Sequence, residues 1–284
     1  MKRIFFQLPL LLLLAAVLVS CEDSVEKPAM ELLEEARKEY AAGNYNTARL
    51  IIDSLSLTHP KAYKTRREAE LLRREVMLDE KQRDVVFYEE SLISLAAQRD
   101  SLAQTLTLNK DSRYQDTGIY SVPSQAISLN PFNSFLRATV KENGETYITS
   151  LYRGKRIAHK SVKVSSGDSF VDCSVPFLTR SYKEAGVYNE RVDFKYGADG
   201  GIMDFIAASS GPFKVKLEGG YGTFEYTLRH DDVLAISQIL ELSKVLRAIE
   251  ETREMGKEAK RALDFLRVSQ ERSKAVREKE AVEK

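Results

Sequence analysis

The chain of 284 residues contains no tryptophan, only two cysteines and only three histidines. Sugar-binding β-sandwiches lean on tryptophan platforms, so the missing indole weakens a sugar-binding reading without removing it. The two cysteines are Cys21 and Cys173. Cys21 is committed to another chemistry, argued below, so Cys173 has no partner for an intramolecular disulfide. Cys173 lies in the alternating run Phe170-Val171-Asp172-Cys173-Ser174-Val175. A buried thiol acting as a small hydrophobe is expected there, rather than a nucleophile. An excess of one charge is missing too: 43 basic residues face 42 acidic ones. A nucleic-acid binder carries a basic footprint, so that partner class is not expected.

The scarcity of histidine also limits catalysis. His59, His159 and His230 form no His-x-x-x-His pair. The chain has no Cys-x-x-Cys, no glycine loop spaced to cradle phosphate and no Gly-x-Ser-x-Gly. His59 closes a helical hairpin, and His159 lies in the strand-like Ile157-Ala158-His159-Lys160. His230, beside Asp231 and Asp232, is the best acid–base candidate. A helix cap with a solvated histidine is the preferred reading, because aspartate is a default cap residue. Asp199-Gly200-Gly201 reads as a tight turn, since calcium needs roughly six to eight oxygens. No catalytic residue, metal site or cofactor is assigned, and an enzyme is not expected.

What is present begins at the N-terminus. Met1-Lys2-Arg3 precedes an apolar run from Ile4 to Val19. The run is shorter than the roughly 20 residues of a membrane-spanning helix, and it reads as a leader. It ends Leu18-Val19-Ser20-Cys21, which resembles the lipobox of bacterial lipoproteins. The resemblance implies cleavage before Cys21, a diacylglyceryl thioether on its sulfur and an acyl group, such as palmitate, on its new amine. It places the chain in the cell envelope, at the outer membrane, with the face left open. An uncleaved membrane helix is the competing reading. Residues 21–28 form a polar spacer. Its Glu22-Asp23 resembles the acidic signal that sends lipoproteins of Bacteroidota to the cell surface; a plain solvated linker explains it equally well.

Residues 29–77 read as a helical hairpin. Met30, Leu33, Ala36 and Tyr40 make the first stripe, Gly43-Asn44-Tyr45 the break, and Ala48, Ile51, Ile52 and Leu55 the second stripe. Ala36, Gly43, Tyr45, Ala48 and Pro60 stand at the spacing of a tetratricopeptide repeat, which the hairpin resembles. Tyr40 is one place late for that repeat. Residues 78–110 carry a heptad-like series, Leu78, Val85, Tyr88, Leu92, Leu95, Arg99, Leu102 and Leu106. Residues 111–229 change to short alternating runs between turn residues, which predicts about seven to nine strands in a small all-β domain. Residues 230–284 read as a second long helix, with Val233, Ile236, Ile239, Leu240, Leu242, Val245, Leu246 and Ile249 as its stripe and a charged tail expected to fray.

The expected fold class is therefore α+β. A tetratricopeptide-like hairpin and two long antiparallel coiled-coil helices flank a small antiparallel β-sandwich or barrel. The same heptads would serve a homodimer through the long helices, and both pairings stay open. The order of parts resembles envelope lipoproteins of gut Bacteroidota that join a tetratricopeptide-like start to a β-rich region. That resemblance implies no particular activity. The functional expectation is a non-catalytic, membrane-anchored scaffold or protein-interaction module with a protein partner. The alternative is a glycan-binding accessory lipoprotein, with tyrosines such as Tyr114, Tyr147, Tyr182 and Tyr221 gripping sugar.

Overall fold

A computed structural model describes residues 25–282. The leader, the lipobox and Cys21 lie outside the described residues, as do Glu22 and Asp23. The fold is mixed α+β, with two antiparallel sheets of six and four strands. Neither sheet closes on itself, which removes the barrel alternative. The described chain divides into two compact units. One holds residues up to Glu89 and from Met255 onward, the other Glu90–Glu254.

The first unit is helical. Helix α1 covers residues 25–41, α2 Tyr45–Thr58 and α3 Tyr63–Ala103, of which the part up to Glu89 belongs here. Gly43, at φ +79°, sits in the left-handed region that a side chain disfavours and turns the chain from α1 into α2. Ala29, Leu33 and Ala36 of α1 meet Ala48, Ile52 and Leu55 of α2 and Ala69, Leu72 and Val76 of α3 in one buried core. The alanines let the helix axes approach closely. Met30 is exposed and Ala29 takes the inward place, while Leu33 and Ala36 hold the core as their spacing predicts. The α3 N-terminus is capped from α1: the Glu26 carboxylate accepts N–H bonds from Lys64 at 3.2 Å and Thr65 at 3.0 Å. Helix α5, His230–Val282, returns through this unit with its last residues. It runs antiparallel to α3 there, because Arg267 donates to Gln82 and Arg74 to Ser273. The charged tail continues as helix to Val282 instead of fraying at Arg272.

The second unit holds ten strands. They are β1 (Thr107–Asn109), β2 (Ile119–Ser121), β3 (Phe135–Lys141), β4 (Thr146–Gly154), β5 (His159–Ser166), β6 (Ser169–Cys173), β7 (Leu178–Glu184), β8 (Val187–Lys195), β9 (Lys214–Gly219) and β10 (Gly222–Thr227). The six-stranded sheet runs β1-β2-β3-β4-β8-β7, and the four-stranded one β10-β9-β5-β6. Alternation decides the inward faces. Leu136, Ala138, Ile148, Val192 and Phe194 of the larger sheet share one core with Val162, Val164, Val215 and Leu217 of the smaller. The α5 residues Ile236, Ile239, Leu240, Leu242 and Leu246 enter the same core. Each fully buried valine, leucine, isoleucine or phenylalanine among them stabilises the fold by about 1.5–3 kcal/mol before entropy is counted.

Two features were not expected from the sequence. A short helix α4 (Ile202–Ala208) follows Asp199, whose carboxylate accepts from the Met203 amide at 3.0 Å, so this aspartate caps a helix as well as turning the chain. β3 also has a length of edge without a strand neighbour. Gln125 fills it: its amide nitrogen donates to the Leu136 carbonyl at 2.8 Å, and its oxygen accepts from the Ala138 N–H at 3.2 Å.

Candidate binding groove

The arrangement nearest to catalytic chemistry lies inside the β unit. His159, on β5, places Nδ1 2.8 Å from Glu190 of β8 and Nε2 3.0 Å from the Ser150 hydroxyl of β4. Hydroxyl, imidazole and carboxylate stand in the order that activates a serine nucleophile. Burial argues for a different role. The His159 and Glu190 side chains are 0% and 2% exposed, and Ser150 is 0% exposed. Both Glu190 oxygens are occupied: Oε1 accepts from the Ile157 and Ala158 amides at 2.9 and 2.7 Å, and Oε2 from the His159 amide at 3.0 Å as well as from the ring.

Charge explains the pattern. Burial drives the His159 ring below its ordinary pKa, so it is neutral. Burial pushes the Glu190 carboxyl upward, but the His159 ring and three amides outweigh it and leave it ionised below the usual glutamate value. A neutral ring that donates from Nδ1 to this carboxylate accepts at Nε2 from Ser150. The cluster clamps the loop before β5, where Ala158 sits at φ +52°. It also ties the two sheets together, since Ser150 and Glu190 belong to one and His159 to the other.

The accessible site is a groove of about 570 Å³ on the six-stranded sheet. Phe135 and Leu151 line its apolar part, and the segment Ile127–Pro131 contributes to its wall. That wall is anchored: Asn130 donates to the Ser124 and Ala126 carbonyls at 2.9 and 3.0 Å and accepts from Arg229 at 2.9 Å. Arg229 is held in turn by Asp232, which also takes a bond from Gln125 at 3.1 Å. The rest of the lining is polar and mixed in charge, with three arginines beside Glu184 and Glu190. Arg153, Arg180 and Arg191 reach the groove from β4, β7 and β8. Arg180 stands directly opposite Arg191 in the β7–β8 register, and Arg153 opposite Asn189 in the β4–β8 register. Arg191 uses Nε on Asp193 at 3.0 Å. Arg137 lies on the same sheet face, its pKa lowered by burial and then by Arg191. The Asn189 Nδ2 is buried without a hydrogen-bond partner.

The residues singled out from sequence are dispersed. Cys173 is buried, its Sγ 3.2 Å from the Ala198 carbonyl, as a structural thiol should be. His230 is exposed, while Asp232 is buried and spent on Gln125 and Arg229 rather than on an acid–base pair with it. His59 closes α2. The tyrosines form no common surface: Tyr114, Tyr182 and Tyr221 are exposed on separate segments, while Tyr147, Tyr152, Tyr188, Tyr196 and Tyr226 are partly or fully buried. Among the described residues, no three His, Cys, Asp or Glu side chains gather as a metal site, and no helix is long and apolar enough to cross a membrane. Sequence reasoning missed the groove because its arginines meet only through strand pairing. No family model, curated protein or solved structure matches the chain.

Proposed function

We propose that the chain is an envelope lipoprotein held to the outer membrane through lipid on Cys21, and that it acts as a non-catalytic binding scaffold. The helical unit is a tetratricopeptide-like hairpin continued by a coiled coil, and the β unit is the recognition module. The observation that carries the reading is the groove. It mixes an apolar floor with three arginines and has a braced wall, features that hold a ligand. Among the described residues, the one nucleophile-like constellation is sealed in the core, with its carboxylate fully engaged. A glycan-binding role lacks the aligned tyrosines it would use.

Affinity pull-down from native membranes tests this, with Cys21→Ala as the unanchored control. The expected result is one protein partner recovered in near-equal amounts with both forms, and Cys21→Ala in the soluble fraction. Recovery of polysaccharide alone, or retention of Cys21→Ala in the membrane, would overturn the reading.

A further inference from the structure

We propose that the free edge of β7 docks an extended acidic segment of a partner protein, which adds a strand to the six-stranded sheet and seats a carboxylate against Arg180, with Arg191 behind it. The inference rests on the binding-module reading and names the partner's chemistry.

Three observations converge. First, β7 ends its sheet and pairs with β8 alone. All seven of its residues are exposed, so among the described residues its outward N–H and C=O groups face no strand. Edge strands of this kind recruit extended peptides through main-chain bonds. The opposite edge of the same sheet, β1, has only three residues. Second, like charges directly opposite each other across two strands repel. Arg180 and Arg191 are such a pair; Arg191 is already held by Asp193, whereas among the described residues no carboxylate bonds Arg180. Two carboxylates also reach the groove: the oxygens of Glu190 are consumed by amides and His159, and Glu184 stands at the far end of β7 from Leu178. A carboxylate supplied from outside relieves the repulsion and accepts paired guanidinium N–H bonds. Third, the buried Asn189 Nδ2 is a donor lacking an acceptor at the same place.

The test uses the full chain and a fluorescein-labelled octapeptide alternating glutamate with valine. Its companions are the lysine–valine analogue, two versions N-methylated on alternate edges, and an oligogalacturonate as an acidic glycan. The glutamate peptide is expected to bind, one N-methylated version to fail, and the β7 amides to gain protection from hydrogen exchange. Arg180→Glu and Arg180→Ala, at an exposed position, are expected to weaken binding by about tenfold or more, the charge reversal by the larger factor. Equal binding of the lysine peptide, indifference to N-methylation, or unchanged affinity in both Arg180 variants overturns the proposal. So does binding of oligogalacturonate in place of the peptide, which assigns the groove to acidic glycans. If the peptide fails while the membrane pull-down still yields a protein, the β7 site is wrong and the scaffold stands. If the peptide binds through Arg180 while the pull-down yields none, the site stands and the scaffold reading fails.

Discussion

Glu190 shows how a residue chosen for its position can imitate one chosen for its reactivity. Its carboxylate gathers three amides and the His159 ring in a site closed to solvent. Removing a buried charged acceptor leaves several donors without a partner. Glu190→Gln is therefore expected to destabilise the loop at Ile157–His159 by about 3 kcal/mol. The measurement is amide hydrogen exchange at those three positions, which should accelerate by about a hundredfold; unchanged exchange would mean that the carboxylate does not hold the loop. The pH dependence has a fixed sign. Folding holds the His159 pKa below its ordinary 6.5, so the unfolded chain takes up a proton there that the folded chain refuses. This contribution to stability is complete above pH 6.5 and is lost as the pH falls below that value. Glu190, depressed below its ordinary 4.5, adds a loss of the same sign in more acid solution. Urea unfolding at pH 7.5 and pH 5.5 should show lower stability at pH 5.5, with a smaller difference in His159→Gln.

Individual elements were legible to the extent that their burial alternates. β3, β4 and β8 each turn one face to the core, and their runs in the sequence show it. β7 was invisible because Leu178–Glu184 is exposed on both faces and leaves no period to read. α3 was divided in the sequence reading at Leu78, yet it runs unbroken from Tyr63 to Ala103, because nothing between these ends interrupts backbone hydrogen bonding. Close approaches were hidden as well. Gly219 of β9 faces His159 at an irregular step between β5 and β9, and a Cβ there would stand 2.2 Å from the Ile157 carbonyl oxygen. Gly219→Ala thus forces the strand and the clamped loop apart. Its expected cost is about 2 kcal/mol or more in urea unfolding, with retained stability as the contrary result.

At the scale of the whole molecule, the two kinds of information separate cleanly. The lipobox-like run ending at Cys21 was legible because it is made of a few adjacent residues. The groove was not, because Arg153, Arg180 and Arg191 are brought together by pairing among three strands, which no local spacing announces. The physical consequence of the proposed anchor would be large. Each lipid methylene buried contributes about 0.8 kcal/mol, so several acyl chains hold the chain to the bilayer where one would not. On the proposed reading, a groove on a tethered protein would meet its ligand at the membrane. The most direct measurement is intact-mass spectrometry of the chain extracted from native membranes. The expected species begins at Cys21 and carries diacylglyceryl and acyl groups. A chain that retains Met1–Ser20, or begins at Cys21 without lipid, would contradict the anchored reading.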